Sequence, residues 1–490
     1  MNGQDTVTLV VVIAFAVDLA IRITALIVIP RDRKPTAAMA WLLAIFLIPF
    51  VGIFFFLLIG SPHLPRARRE KQKKINELIA SAADGLELEA DRSHWPPWLE
   101  GVTEMNRTVS AMPVVGGNEA HLIDDYAQSF AAMAADIDTA RSFVHVEFYI
   151  VSFDKTTAGF FAALEAAVAR GVTVRLLLDH VASVRTVGYK ETLAELDRIG
   201  VIWSFMLPVQ PLKGNYQRPD LRNHRKLVVV DGRVGYMGSQ NLIDRSYNSE
   251  KNLKRGLQWQ ELVTRVTGPV VSGINVIFTG DWYTETDELV EHENVPIAEV
   301  ARHGSSAALD CQVVPSGPGF EGENNLRLFL ALVHSAQERV IITSPYFVPD
   351  EAMMYAITSA VQRGLDVQLF VSEIGDQGGV FHAQRSYYDA LLTAGVQIWM
   401  YPAPYILHAK HLSIDDDVAV IGSSNMDIRS FALDLEVSLL VRGPAFVAEM
   451  REVEAGYRAV GRELTLEEWK REPKSATFLD GLARLTSALQ

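Results

Sequence analysis

Only one cysteine, Cys311, stands among 490 residues, so neither an intrachain disulfide nor a zinc site built on thiolates is available. Catalytic parts in a reducing compartment are the simplest consequence. No Asp, Glu or His cluster has metal-ligand spacing, which predicts chemistry without a metal or any other cofactor. Basic residues are scarce in the body of the chain, with 35 Lys and Arg against 55 Asp and Glu from residue 75 onward. A nuclease needs a basic stripe, so nucleic acid is not an expected partner. Up to residue 74 the balance reverses, with ten basic residues and four acids. A basic neck ahead of an acidic body suits a protein held at an anionic membrane surface.

What is present begins with two long apolar runs. Val7 to Ile29 is almost wholly apolar, and as a helix it spans roughly 34 Å, enough to cross a bilayer. Thr36 to Gly60 is a second run. The first lacks a basic leader and the second follows at once, so neither looks like a cleaved signal peptide. Residues 1–60 are therefore expected to form an anchor of two membrane helices. Asp18 and Arg22, four apart in the first run, read as a mutual ion pair. The cluster Arg66, Arg68, Arg69, Lys71, Lys73 and Lys74 puts the body on the cytoplasmic side of the membrane. Arg31, Arg33 and Lys34 between the runs conflict with a simple two-span hairpin. The conflict disappears if the second run enters and returns, bending at Pro49 and Gly52.

Residues 61–110 read as a basic neck and linker, with Trp95 and Trp98 equally suited to an interface or to packing. Beyond it the chain repeats itself. Phe143–Ile150 and Val172–Leu178 are strand-like and enclose a helical stretch that ends at Arg170-Gly171. Val340–Thr343 and Val367–Val371 enclose another, ending at Arg363-Gly364. This β-α-β order, met twice, predicts an α/β fold of two homologous halves, 111–295 and 296–490, packed pseudo-symmetrically and face to face.

Each half then reaches the same motif. His224, Lys226 and Asp231 in the first half, and His408, Lys410 and Asp415 in the second, both fit H-x-K-x4-D. Fourteen residues after the first histidine begins Gly238-Ser239-Gln240-Asn241, and after the second Gly422-Ser423-Ser424-Asn425. Glu261 and Glu436 follow in strand-like runs. One accidental H-x-K-x4-D is expected in only about 0.02 chains of this composition, so two with matched downstream patterns are not chance. His and Lys two apart on a strand share a face. Two such pairs brought together make a cradle for a phosphodiester: lysines and Ser/Asn donors hold phosphoryl oxygens while imidazoles do covalent and proton work.

The duplicated motif resembles the phospholipase D superfamily across nearly the whole chain. RNHRK at 222–226, SPYFVPDE at 344–351, LLTAGVQIW at 391–399 and NMDIRSF at 425–431 narrow the resemblance to bacterial cardiolipin synthases. It implies two phospholipase D-like α/β-sandwich halves and a covalent phosphohistidine. His224 would be the nucleophile and His408 the acid/base, with Lys226 and Lys410 beside them. Glu261 and Glu436 would orient the rings, Asp231 and Asp415 brace the loops, and Ser239, Asn241, Ser423 and Asn425 donate to phosphoryl oxygens. Tyr346 is equally suited to the site or to packing, and His334, His382 and His411 are read as ordinary histidines. The implied reaction joins two phosphatidylglycerol molecules into cardiolipin and glycerol, at a bacterial inner membrane crossed more than once. Hydrolysis to phosphatidic acid is the alternative fate of the same intermediate, and a homo-oligomer is compatible with the same reading.

Overall fold

The computed structural model describes residues 3–31, 33, 35–60, 64–83, 90, 92–211, 215–290, 309–320 and 322–485. The expected boundary at 295/296 lies outside them. The chain divides into two compact units, Met1–Arg66 with Gln217–Asp220, and Ala67–Tyr216 with Leu221–Gln490.

In the first unit, helix α1 (Gly3–Val28) contains Val7–Val28, long and apolar enough to cross a membrane. Its side chains are mostly exposed, as a lipid-facing helix requires. Asp18 and Arg22 form the expected ion pair, 2.7 Å apart. The second apolar run is not a second membrane helix of that length. It breaks into α2 (Pro35–Leu47) and α3 (Pro49–Ile59). The cause is Pro49, which has no N–H to donate and forces Ile48 out of helical geometry, at φ −136° and ψ 76°. At 1.5 Å per residue neither piece exceeds about 20 Å, short of a bilayer core. The two double back on each other. Trp41 meets Phe56 edge to face, and a Cβ at Gly52 would stand 2.7 Å from the Ile45 Cα. Glycine is needed where the two backbones approach so closely.

The second unit starts with helix α4 (Arg66–Ala83). Arg68 pairs with Glu285, and the Lys71 ammonium donates to the Thr284 carbonyl at 3.1 Å and pairs with Asp287. Helix α5 (Leu99–Ser110) buries Leu99 and Val102 in the core. From Ala67 onward the described part of the expected linker is thus folded onto the body, because its apolar and basic positions find partners there. Trp95 is part of that packing, donating to Asp310 at 2.6 Å.

The first half supplies strands β1 (Val114–Ile123), β2 (Phe143–Phe148), β3 (Thr173–Asp179), β4 (Ile202–Met206), β5 (Lys226–Val230), β6 (Val234–Gly238) and β7 (Val263–Thr267). The second supplies β8 (Leu309–Ser316), β9 (Arg339–Thr343), β10 (Asp366–Ser372), β11 (Gln397–Tyr401), β12 (His411–Ile414), β13 (Val418–Gly422) and β14 (Glu436–Arg442), with β15 (Arg462–Leu464) added at its edge. All fifteen join one sheet, in the order β15-β11-β10-β9-β12-β13-β14-β8-β1-β7-β6-β5-β2-β3-β4. The order outward from β1 repeats the order outward from β8, so the pseudo-symmetry is present. The halves meet side by side through antiparallel β1 and β8, not face to face as the sequence suggested. Joining edge strands satisfies backbone groups that a face-to-face arrangement would leave open.

Local chemistry explains the repeat. Strands β2 and β5 are buried at every position, consistent with helices covering both faces. Helices α6 (Ala158–Ala169) and α7 (Glu351–Gln362) end alike, at Gly171 with φ +84° and Gly364 with φ +90°. The Val172 N–H bonds back to the Ala167 carbonyl and the Leu365 N–H to the Ala360 carbonyl. That is the left-handed helix stop for which glycine is suited.

Candidate active site

His224 stands two residues ahead of the first residue of β5, Lys226. His408 and Lys410 stand just ahead of β12. Each histidine is held by the opposite half. The His224 N–H donates to the Leu435 carbonyl at 2.9 Å, and the His408 N–H to the Gln260 carbonyl at 2.7 Å. The residues after those carbonyls are Glu436 and Glu261. His408 Nδ1 lies 2.8 Å from Glu261 Oε1, and His224 Nδ1 lies 3.0 Å from Glu436 Oε1. Both glutamates are buried, so each carboxylate fixes a ring tautomer in a site of low dielectric. Among the described residues neither Nε2 accepts or donates a protein hydrogen bond.

Both lysines are buried, and each donates to the carbonyl of its own histidine, Lys410 to His408 at 2.7 Å. Burial lowers the Lys226 ammonium to about 7 and the Lys410 ammonium to about 8. Burial likewise lowers His408 to about 4, against the pull of Glu261, and holds His224 well below its ordinary value, helped by Lys226 and Lys410. Four buried groups ready to take up positive charge form a strong anion site. The carboxylates differ. Burial raises Glu436 to about 7, in the company of Asp427 at about 6 and Asp434 at about 7. For Glu261 burial acts upward too, but His408, Lys410 and Ser239 outweigh it and the net shift is downward.

The serines and asparagines expected to donate to phosphoryl oxygens sit beside the histidines and carry further hydrogen bonds. Ser239 donates to Glu261 at 2.5 Å and Ser423 donates to Glu436. Asn241 donates to the Tyr247 hydroxyl at 2.8 Å and accepts from the Ile150 N–H. Asn425 is buried beside Asp427. These side chains brace the carboxylates and neighbouring loops. Asp231 and Asp415 are not brought to the histidines. Asp231 accepts the N–H groups of Arg141, Ser142 and Phe143, and Asp415 those of Gln337, Glu338 and Arg339. Each sits at the far end of its strand and ties the start of β2 or β9.

Tyr149, Tyr247 and Asp179 carry no motif signal of the kind that marked the histidines. Tyr149 stands edge-on to His224 at 5.0 Å, with the Lys226 ammonium 5.4 Å above its ring. Tyr346 takes the equivalent place at His408, at 6.3 Å, and its hydroxyl donates to Asp376. A weaker signal was available, because Tyr149-Ile-Val repeats as Tyr346-Phe-Val. Tyr247, held at φ +58°, reaches Glu261 through its hydroxyl at 3.3 Å. It repeats as Phe431, in NLIDRSY against NMDIRSF, so only the Glu261 side has a hydroxyl there. Asp179, buried, pairs with Arg222 and accepts the Asn223 N–H at 3.0 Å. Its counterpart Ser372 accepts the Leu407 N–H at 2.8 Å.

Comparison with known proteins identifies the family. A family model described as the cardiolipin synthase, phospholipase D-like domain matches residues 133–268 and 329–454, and one described as the phospholipase D-nuclease N-terminal region matches 20–61. Cardiolipin synthase A of Pectobacterium carotovorum is 31% identical over 453 residues, 91% of either chain. That of Proteus mirabilis is 28% identical over 94% of either chain. The crystal structure of phosphatidylserine synthase from Haemophilus influenzae shares the fold, with a TM-score of 0.59 and 14% identity over 79% of this chain and 99% of that one. Two matched repeats covering more than half of the residues, with full-length relatives above 30% identity, place the chain in the cardiolipin synthase family of the phospholipase D superfamily.

Proposed function

We propose that this phosphatidyltransferase makes cardiolipin from two phosphatidylglycerol molecules through a phosphohistidine. His224 Nε2 attacks phosphorus, the bond from phosphorus to the glycerol oxygen breaks, and His408 gives that oxygen its proton. An alkoxide is a poor leaving group, so the acid is needed. His408 then takes the proton from a hydroxyl of the second lipid. Its oxygen attacks phosphorus, breaking the P–N bond and returning His224. Lys226 and Lys410 hold the phosphoryl oxygens, and an arriving anion restores the protons that burial disfavours on them. No bond energy is stored, because one phosphodiester replaces another.

The single observation that carries this reading is the crossed pairing of His224 with Glu436 and His408 with Glu261. Each glutamate occupies Nδ1 and leaves Nε2 for substrate. The lowered Glu261 is an ionised partner that opposes the burial holding His408 at about 4, and with an arriving phosphate it favours an imidazolium there. Glu436, raised to about 7, gives His224 weaker anionic support and favours the neutral nucleophile. The two repeats are assigned to 111–295 and 296–490. For the anchor, α1 crosses the inner membrane once and the α2–α3 hairpin dips in and returns, which leaves both basic clusters and the catalytic body on the cytoplasmic side.

Purified enzyme given phosphatidylglycerol alone, with EDTA and without CTP, is expected to form cardiolipin and glycerol in equal amounts. Added glycerol should drive the reaction back. Phosphatidic acid as the main product would make the chain a hydrolase, and loss of activity in EDTA would overturn the metal-free mechanism.

A further inference from the structure

The C-terminal helix α9 (Lys474–Arg484) packs against α8 (Gly378–Arg385) the wrong way round for a helix on a globular body. Its inward face carries Ala476, Asp480 and Ala483. Asp480 is 2% exposed and pairs with His382 at 2.7 Å and with Arg385 at 3.4 Å. Its outward face carries Phe478, Leu482 and Leu485, which are 71%, 52% and 81% exposed, with half-exposed Leu479 alongside. At about 100° per residue the three outward positions lie within roughly 60° of arc, and the inward ones about 140–200° away. An amphipathic helix normally turns its apolar stripe to the core. Here the stripe points outward and a buried ion pair does the anchoring.

We infer that this outward face is an interfacial lipid-binding surface that seats the catalytic body on an anionic bilayer. Charge selects this occupant. Lys470, Arg471 and Lys474 lead into the helix, in a body whose charge is otherwise strongly acidic. The acids in the same stretch are turned inward or paired, Glu472 to Arg385 and Asp480 as above, and Arg471 also meets Glu467 at 3.5 Å. Basic residues flanking a Phe/Leu stripe are the composition of a helix lying in the headgroup plane of anionic lipids. The surface also connects to the chemistry. Helix α8 follows the loop that carries Asp376, which accepts from the Tyr346 hydroxyl, and the Tyr346 ring stands beside His408. Docking of α9 would therefore bring the His408 side of the site to the lipid surface from which a lipid acceptor must come. The choice of anionic lipid rests on the phosphatidylglycerol reading above.

The test uses the full-length protein, one copy per lipid nanodisc containing phosphatidylglycerol. Cys311 is buried, so Phe478→Cys, Leu482→Cys and, as an exposed control, Lys254→Cys each give a single reactive thiol for a fluorophore. Spin-labelled lipid is expected to quench the probes at 478 and 482 severalfold more than the probe at 254. Equal quenching at all three sites would overturn the inference. So would probes at 478 and 482 that become shielded only when two copies share a disc, which would make the face a contact between copies. A second measurement separates docking from chemistry. The double variant Phe478→Ser, Leu482→Ser should raise apparent KM for phosphatidylglycerol in discs on the order of tenfold, with kcat on a short-chain, water-soluble phosphatidylglycerol within about twofold of the parent. Equal losses on both substrates would overturn a docking role. Quenching at 478 and 482 without any cardiolipin formation would leave docking standing and refute the proposed reaction instead.

Discussion

Glu261 holds the ring of His408 from across the molecule, its Oε1 2.8 Å from Nδ1, although the two residues belong to opposite halves of the sheet. The motif histidine of each half therefore finds its carboxylate in the other half. Glu261 is the more firmly ionised of the two glutamates, while Glu436 sits near 7. Replacing Glu261 with Gln removes the charge that supports an imidazolium, and by analogy with other oriented histidines kcat should fall roughly 10³–10⁴-fold. Glu436→Gln is nearly isosteric with the protonated acid and should cost about tenfold less. Initial rates on phosphatidylglycerol decide it. A larger loss from Glu436→Gln would reverse the roles of the two histidines.

Those roles have a direct chemical readout. Either His224→Ala or His408→Ala should abolish turnover with the fold intact. In His408→Ala the nucleophile remains but the acid is gone, so a labelled phosphatidyl group should accumulate on His224, slowly, as an acid-labile adduct. In His224→Ala no adduct should form. Label found on His408 in the His224→Ala protein would assign the nucleophile the other way. Near-normal turnover in either variant would rule out a two-histidine mechanism.

The parts legible in the sequence were those fixed by spacing within one strand or turn. H-x-K-x4-D sets His and Lys at one end of a strand and Asp at the other, and Asp231 and Asp415 close their turns as that spacing requires. The Gly171 and Gly364 helix stops were legible for the same reason. What depends on how distant segments join was not. Nothing in the chain indicates that β1 and β8 are edge partners, and this join decides which glutamate reaches which histidine. That the serine hydroxyls donate to Glu261 and Glu436 was not legible either, because those acceptors lie 22 and 13 residues away. The orientation of α9 was invisible, because a helical apolar period says which residues share a face and not which way the face turns.

The anchor gives a third test. In the structure Trp41 meets Phe56 and Ile45 meets Gly52, the pairing of a chain that doubles back. If α2 and α3 form a re-entrant hairpin, Arg33 and Pro65 lie on the same side of the membrane. Single thiols at Arg33→Cys and Pro65→Cys should both be labelled by an impermeant maleimide in inside-out vesicles, and neither in intact spheroplasts. Labelling of the two positions from opposite sides would mean that residues 36–60 cross the bilayer after all.

The fourth test concerns a histidine that does no chemistry. His411 is buried beneath Tyr457, and among the described residues neither ring nitrogen has a hydrogen-bond partner; Glu454 is 3.7 Å from Nδ1. Burial, aided by Arg451, lowers it to about 3. Its folded value is below its unfolded value of about 6.5, so the unfolded chain binds the extra proton first. The stability this neutral ring contributes is complete above pH 6.5 and drains away as pH falls from 6.5 towards 3. Glu454, raised by burial, has the opposite sign, and it remains in both proteins when His411 is changed. His411→Phe keeps a ring in the cavity and removes the titration. Urea midpoints measured between pH 7 and 4 should fall less steeply in the variant than in the parent, and its acid unfolding should begin at lower pH. Parallel curves would show that the ring is not neutral by constraint. A variant less stable than its parent at pH 7 but flatter towards pH 4 would still support it, because the slope reports the proton and the offset only the packing.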